Sequence, residues 1–322
     1  MKKLSIIIAL YNTEKYIEKC VRSAACLSLP IDDYEIIIVN DGSNDNGPAI
    51  VRNIALEYSN IQLIDKANGG QSSARNIGFG VAKGKYIFCL DSDDSINGDE
   101  FERALEYAVI NDLDLLPIHF KKIDENGNEI GRDADNYNII TAPISGGEFM
   151  NTFTISGTMW RYFYRRDIIV EQGLKLMERV YHEDEEFVVK FFSFCKKIAY
   201  QKHNVYNYLQ RSNSTINNKN KAHRLKLIND LVLITNSLNL HKEKFSKSSL
   251  EYRGVLLKVE QLSVGIFFRM KSDDMKFVEV MKIISALKGI GIYPLNIKYQ
   301  NIKFRLASIF FNSKFLCKLY FR

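Results

Sequence analysis

Three carboxylates within four residues, Asp91, Asp93 and Asp94, stand directly after an apolar run, where their mutual repulsion is costly without a cation. Oxygen ligands at such a place suit Mg2+ or Mn2+ shared with phosphate oxygens; a helix cap with solvated acids is the plainer alternative. Asp41 ends another apolar run in a VNDGSNDN turn. It reads either as an acceptor for a base or sugar, or as an Asx-turn in which Gly42 takes a positive φ. Tyr11 follows the first run, where an aromatic ring can stack on a planar base or simply pack. From Asn68 to Asn76 a Gly-Gly pair precedes a helical start, with Ser72 or Ser73 as its cap and Arg75 in its first turn. Flexible backbone beside a helix amino end and a guanidinium outlines a diphosphate cradle. The stretch matches neither GxGxxG nor GxxxxGK[ST], so dinucleotide-binding and P-loop classes lose support. A segment HEDEEF sets Glu183, Asp184, Glu185 and Glu186 in the first turn of a helix, where negative charge is favoured with or without chemistry.

These clusters need elements to position them. Apolar runs begin near Leu4 (LSIIIAL), Tyr34 (YEIIIVN), Ile61 (IQLID) and Lys85 (KYIFCL), about 25 to 30 residues apart, the length of a βα unit. Continuous Ile/Val runs suit parallel strands covered on both faces, and Ile17, Cys20, Val21 and Ala24 recur at helical spacing between the first two. The expected fold is α/β, a doubly wound, mostly parallel Rossmann-like sheet flanked by helices. Ligands bind such sheets beyond the carboxyl ends of the strands, so all four clusters should converge on one edge. Further on, the pattern predicts a helix near Asp99 to Ile110, a strand near Asp114 to Phe120 and a hairpin turn at Glu125-Asn126-Gly127-Asn128. An aromatic segment from Trp160 to Tyr164 and a helix opening near His182 follow. The polar stretch from Arg211 to Lys221 is the best boundary, giving a domain over residues 1–215 and a helical region over 216–322.

Composition narrows the class. A chain of 322 residues with 46% hydrophobic and 25% charged residues can bury a full core and is neither disordered nor collagen-like. Its longest apolar runs, such as Ile6 to Leu10, fall far short of the roughly 20 residues of a membrane span. The opening Met1-Lys2-Lys3 imitates a signal peptide until the apolar run meets Glu14, Lys15, Glu18 and Lys19. Five irregularly spaced cysteines without a CxxC fit the reducing cytoplasm. The net charge of +6 is local: after Glu279 come eight bases and no acid, while residues 1–279 carry 36 bases against 38 acids. This counts against a nucleic-acid-binding body and points to a polybasic end. From Ile302 to Phe321 apolar residues alternate with Lys303, Arg305, Lys314 and Lys318, as in a segment that lies on an anionic membrane; a helix packed on the domain or on a partner is the alternative.

In their order, SIIIALYN, EIIIVNDGSNDN, NGGQSSARNIG, CLDSDD and HEDEEF resemble the GT-A-fold glycosyltransferases of family 2, which are inverting and use nucleotide-sugar donors. The resemblance covers about residues 3 to 215, and Ala9 stands where the family commonly has proline. It implies that Ala9, Tyr11, Asp41, Asn68 and Arg75 contact the nucleotide and that Asp91 and Asp93 lie near ribose and diphosphate. Asp94, with Asp93, would hold Mn2+ or Mg2+ as a DxD-type motif does. Glu183-Asp184 matches the family's ED pair, with Asp184 as general base and His182 beside it. Trp160 resembles the aromatic near the acceptor, and Arg211 with Ser214 the R-x-x-S element that closes over the donor. A free Asp, of pKa near 3.9, is a weak base at pH 7 and works where proton transfer is late and the site is partly desolvated. The expected activity is transfer of one sugar, most simply from a UDP-linked hexose or N-acetylhexosamine, to a hydroxyl of a glycan or lipid-linked acceptor in bacterial surface polysaccharide assembly. The enzyme would be cytoplasmic, resting peripherally on the inner face of the membrane. A catalytically silent glycan-binding or scaffolding subunit is the rival, and a DxDx[ST] phosphatase is disfavoured because its motif belongs on an opening strand.

Overall fold

The computed structural model describes residues 2–133, 139–211 and 220–321. Two compact units divide the chain: Met1–Gly146, Thr158–Arg179 and Phe194–Ser214 form one, and Gly147–Gly157, Val180–Ser193 and Thr215–Arg322 the other. Two earlier segments belong with the later helices: the Asn151 side-chain amide donates to the Leu250 carbonyl at 2.8 Å, and Ser237 Oγ donates to Glu186 at 2.6 Å.

In the first unit the strands are β1 (Leu4–Leu10), β2 (Tyr34–Asn40), β3 (Ile61–Asp65), β4 (Tyr86–Asp91), β5 (Ser95–Ile96), β6 (Leu115–Pro117) and β7 (His119–Ile123). After them come β8 (Glu129–Arg132), β9 (Ile140–Ile144), β10 (Tyr162–Arg165), β11 (Ile198–Tyr200) and β12 (Asn204–Leu209). Among the described residues eight strands make one sheet in the order β3-β2-β1-β4-β10-β6-β11-β9, and four make another in the order β5-β12-β7-β8. Strands β1 to β4 are mutually parallel; β10 runs against both β4 and β6. Helices α1 (Ile17–Ala25), α2 (Gly47–Ala55) and α3 (Gln71–Val81) follow β1, β2 and β3, and α4 is Gly98–Ile110. The solid Ile/Val runs are buried along their whole length in β1 and β2, as a sheet covered on both faces requires.

Two expectations change in detail. The strand predicted over Asp114 to Phe120 is two strands in different sheets, because Pro117 has no N–H to continue the ladder and Ile118 instead donates to the Arg161 carbonyl at 2.9 Å. The Asn-Gly hairpin forms between β7 and β8, but Asp124 organises it, accepting the amides of Asn126 and Asn128 while Gly127 takes φ +85°.

The second unit begins with α5 (Gly146–Thr152), the first unit supplies α6 (Arg166–Glu171), and α7 is Glu183–Phe192. Then come α8 (Lys221–His241), α9 (Leu250–Ser272), α10 (Phe277–Gly289), α11 (Ile302–Asn312) and α12 (Lys314–Tyr320). Side chains of Asn220, Ser249, Asn301 and Ser313 accept the first free amides of α8, α9, α11 and α12, so polar residues between the apolar stretches set where each helix begins. Among the described residues no helix is long and apolar enough to cross a membrane.

Candidate active site

Strand order reverses between β1 and β4, and the crevice at such a switch point is where open α/β sheets bind ligands. Register brings the predicted clusters there, since Ala9 pairs with Asp91 and Leu10 with Asn40. The loops after β1 and β2 are tied together: the Asn12 amide donates to Ser43 Oγ at 3.2 Å, and the Asn44 amide to Asn12 Oδ1 at 2.8 Å. Tyr11 stands 46% exposed at this edge, as a stacking platform requires, and Ala9 is half-buried.

Asp41 is only 2% exposed and is already engaged. Its two carboxylate oxygens accept the Gly69 and Gly70 amides, each at 2.8 Å; Lys66 Nζ lies 2.5 Å from one of them. Asn68 adds a bond from its side-chain amide to the Asp41 carbonyl. Asp41 therefore pins the Gly-Gly turn, and the turn's amides do not form an open phosphate cradle. Gly42, at φ +71°, permits the close approach: a methyl there would sit 2.9 Å from the Asn68 nitrogen. The cap of α3 is Gly70, at φ +91°, not Ser72 or Ser73, because that backbone conformation is one serine rarely adopts. Arg75 is buried and holds Asp91 at 2.6 Å, with Gln71 on the same oxygen at 3.2 Å. It orients the first carboxylate of the triplet.

The triplet splits. Asp94 turns inward, 2% exposed, and both its oxygens are taken: the Tyr206 hydroxyl donates at 2.7 Å and the Leu209 amide at 2.7 Å. Burial, reinforced by Asp91 and Asp93, pushes its carboxyl well above the usual carboxylate range. Tyr206 also accepts the Asp91 amide at 3.1 Å, joining β4 to β12 through one buried hydroxyl. Of the two residues expected to hold a cation, Asp94 is thus a structural clasp, while Asp93 lines a cavity of about 520 Å3. Burial and Asp91 push the Asp93 carboxyl up, and Arg211 opposes them through an ion pair of 2.5 Å. The Arg211 guanidinium also lies 5.4 Å over the Tyr16 ring. Lys15, Lys19 and Glu125 complete the charged wall. Three bases around the two carboxylates Asp93 and Glu125 suit a polyphosphate bound with a cation.

Trp160 stacks on Tyr206 at 4.2 Å between ring centres with planes 11° apart, and meets Phe120 edge-on. It is buried, so it braces the tyrosine that clasps Asp94 and does not offer an open face to an acceptor. Ser214 lies outside the described residues.

In the second unit Glu183 and Asp184 occupy the first turn of α7, half-buried, after His182 at φ +64°. Burial holds the His182 imidazole below its usual range. The turn is anchored on both sides: Glu185 pairs with buried Lys258, Ser237 Oγ donates to Glu186 at 2.6 Å, and the Tyr181 amide donates to Asp230 at 2.9 Å. A methyl at Gly157 would overlap the Glu185 side chain, so glycine is what lets that segment lie against α7.

Sequence reasoning missed Tyr206, Lys66 and the pair Lys15 and Lys19. The last had a signal: two lysines at i and i+4 around an aromatic, just beyond the first strand. Tyr206 had none, being one tyrosine in an alternating run, 112 residues from the carboxylate it holds.

The chain is 32% identical over 215 residues to the Bacillus subtilis glycosyltransferase EpsJ, covering 66% of this chain and 62% of that protein. It is 35% identical over 127 residues to the poly(ribitol-phosphate) beta-glucosyltransferase of Bacillus spizizenii, covering 39% of this chain and 20% of the relative. The chain therefore spans about three fifths of the length of the first relative and a fifth of the second. The fold is similar to that of residues 1–349 of S. aureus TarS in complex with UDP, with a TM-score of 0.72 and 20% identity over 99% of this chain and 91% of that one. A family model described as glycosyl transferase family 2 matches residues 5–171, the part that carries the sheet edge and the DSDD turn, and the chain belongs to that family.

Proposed function

We propose that the chain transfers one sugar, with inversion, from a UDP-linked hexose or N-acetylhexosamine to a hydroxyl of a glycan or lipid-linked acceptor in bacterial surface polysaccharide assembly. The observation that carries this reading is Asp93, which faces a cavity walled by Lys15, Lys19 and Arg211 at the switch point of the sheet. The UDP complex of TarS and the polymer named for the Bacillus spizizenii relative support the donor and the setting.

Among the described residues no three His, Cys, Asp or Glu side chains come together as a cage for a metal. One carboxylate fits Mn2+ or Mg2+ nonetheless, since a hard cation of this kind takes most of its ligands from substrate phosphates and water. When bound, such an ion neutralises charge that grows on the leaving diphosphate. Arg211, paired with Asp93, exchanges it for a phosphate oxygen, and Arg75 keeps Asp91 oriented. Asp184, with Glu183 beside it, takes the proton of the acceptor hydroxyl as that oxygen bonds to the anomeric carbon. The bond from that carbon to the diphosphate breaks in the same displacement, and its electron pair leaves with UDP.

The test is a panel of UDP-sugars incubated with the protein, with Mn2+ or with a chelator, and read by UDP release. One donor is expected to release UDP faster than buffer alone, and only with the metal. A flat panel together with no heat of UDP binding in calorimetry would overturn the reading.

A further inference from the structure

Helices α11 and α12 each have two faces that the structure treats differently. One packs inward: Phe311 stacks on Phe267 of α9 at 4.6 Å, Lys271 donates to the Tyr320 carbonyl at 2.7 Å, and Asn312 exchanges hydrogen bonds with the backbone of Leu295. The other is apolar and faces out. Ile302, Leu306 and Ile309 recur at i, i+4 and i+7 on α11, and Phe315 and Leu319 at i and i+4 on α12, each between 51% and 76% exposed. That spacing makes a stripe along each helix. Lys303 and Arg305 flank it on α11, Lys314 and Lys318 on α12, and all four are exposed.

We infer that this outer stripe docks the protein on an anionic lipid surface, with the five apolar side chains among the acyl chains and the bases at the headgroups. Charge selects the occupant. Residues 280–322 carry eight bases and no acid, so a second copy meeting the first face to face would set like charge against like. A lipid leaflet rich in phosphatidylglycerol supplies both the apolar bed and the opposite sign. Helices of 11 and 7 residues suit lying in an interface. The inference goes beyond sugar transfer and does not depend on it.

Co-sedimentation with sucrose-loaded vesicles tests it, comparing equal parts phosphatidylglycerol and phosphatidylcholine with phosphatidylcholine alone. The protein is expected to pellet with the mixed vesicles, not with the neutral ones, and to be released by high salt. At about 1 kcal/mol for each base near such a surface, Lys314→Gln with Lys318→Gln weakens binding about thirtyfold. Leu306→Glu with Phe315→Glu abolishes it, while an unchanged circular dichroism melt shows that exposed positions alone were altered. Equal binding to neutral vesicles overturns the inference, as does failure of the unaltered protein to pellet with the mixed ones. A concentration-dependent dimer that Leu306→Glu dissociates overturns it too, by giving the stripe to a second copy.

Discussion

Asp184→Asn is expected to lower sugar transfer by about 10² to 10⁴, the usual range for loss of a positioned general base, while the affinity for UDP stays within a few-fold of the parent. The substitution is nearly isosteric, and the first turn of α7 is held by neighbours that it leaves in place: Glu185 on Lys258, Glu186 on Ser237 and Lys190, and the Tyr181 amide on Asp230. A loss through unfolding would lower the melting temperature as well, so both are to be measured. Transfer within a few-fold of the parent would place the base elsewhere.

The neighbouring acids Asp93 and Asp94 are expected to fail in opposite ways. Asp93→Asn removes the carboxylate that faces the cavity, so the gain in UDP affinity on adding Mn2+ should vanish while the melting temperature holds. Asp94→Ala leaves the Tyr206 hydroxyl and the Leu209 amide buried without their acceptor, a cost on the order of 2–6 kcal/mol at 1–3 kcal/mol for each such group. Calorimetry with UDP and thermal melts on the two variants separate these outcomes. A stable Asp94→Ala protein that has lost metal-dependent binding would return the cation to Asp94.

Much of this was written in the order of the chain. Four solid apolar runs, each followed by a polar cluster, are enough to place Tyr11, Asp41, Arg75 and Asp91 at one sheet edge, because parallel strands bring all their carboxyl ends to the same side. What sequence could not resolve is which way adjacent side chains turn. Asp93 and Asp94 are chemically the same, and their separation into a cavity-facing acid and a buried clasp depends on a tyrosine brought in by β12. Asp41 shows the same limit. Its type fits a nucleotide acceptor, but the fold spends both oxygens on its own Gly-Gly turn. Trp160 reads as an acceptor platform until Tyr206 is found stacked on it. The amphipathic pattern of residues 302–321 was likewise plain, while its division into a packed face and an exposed one needed α9 to be in place.

The central claim is a single inverting displacement at a UDP-sugar, and proton NMR of the early reaction tests it most directly. With the donor that releases UDP, in Mn2+ and without an acceptor, water takes the acceptor's place, and the anomeric proton of the freed sugar reports the stereochemistry before mutarotation. From an α-linked donor the first-formed sugar should be the β-anomer, at a rate that Asp184→Asn lowers. A first-formed α-anomer would contradict the account.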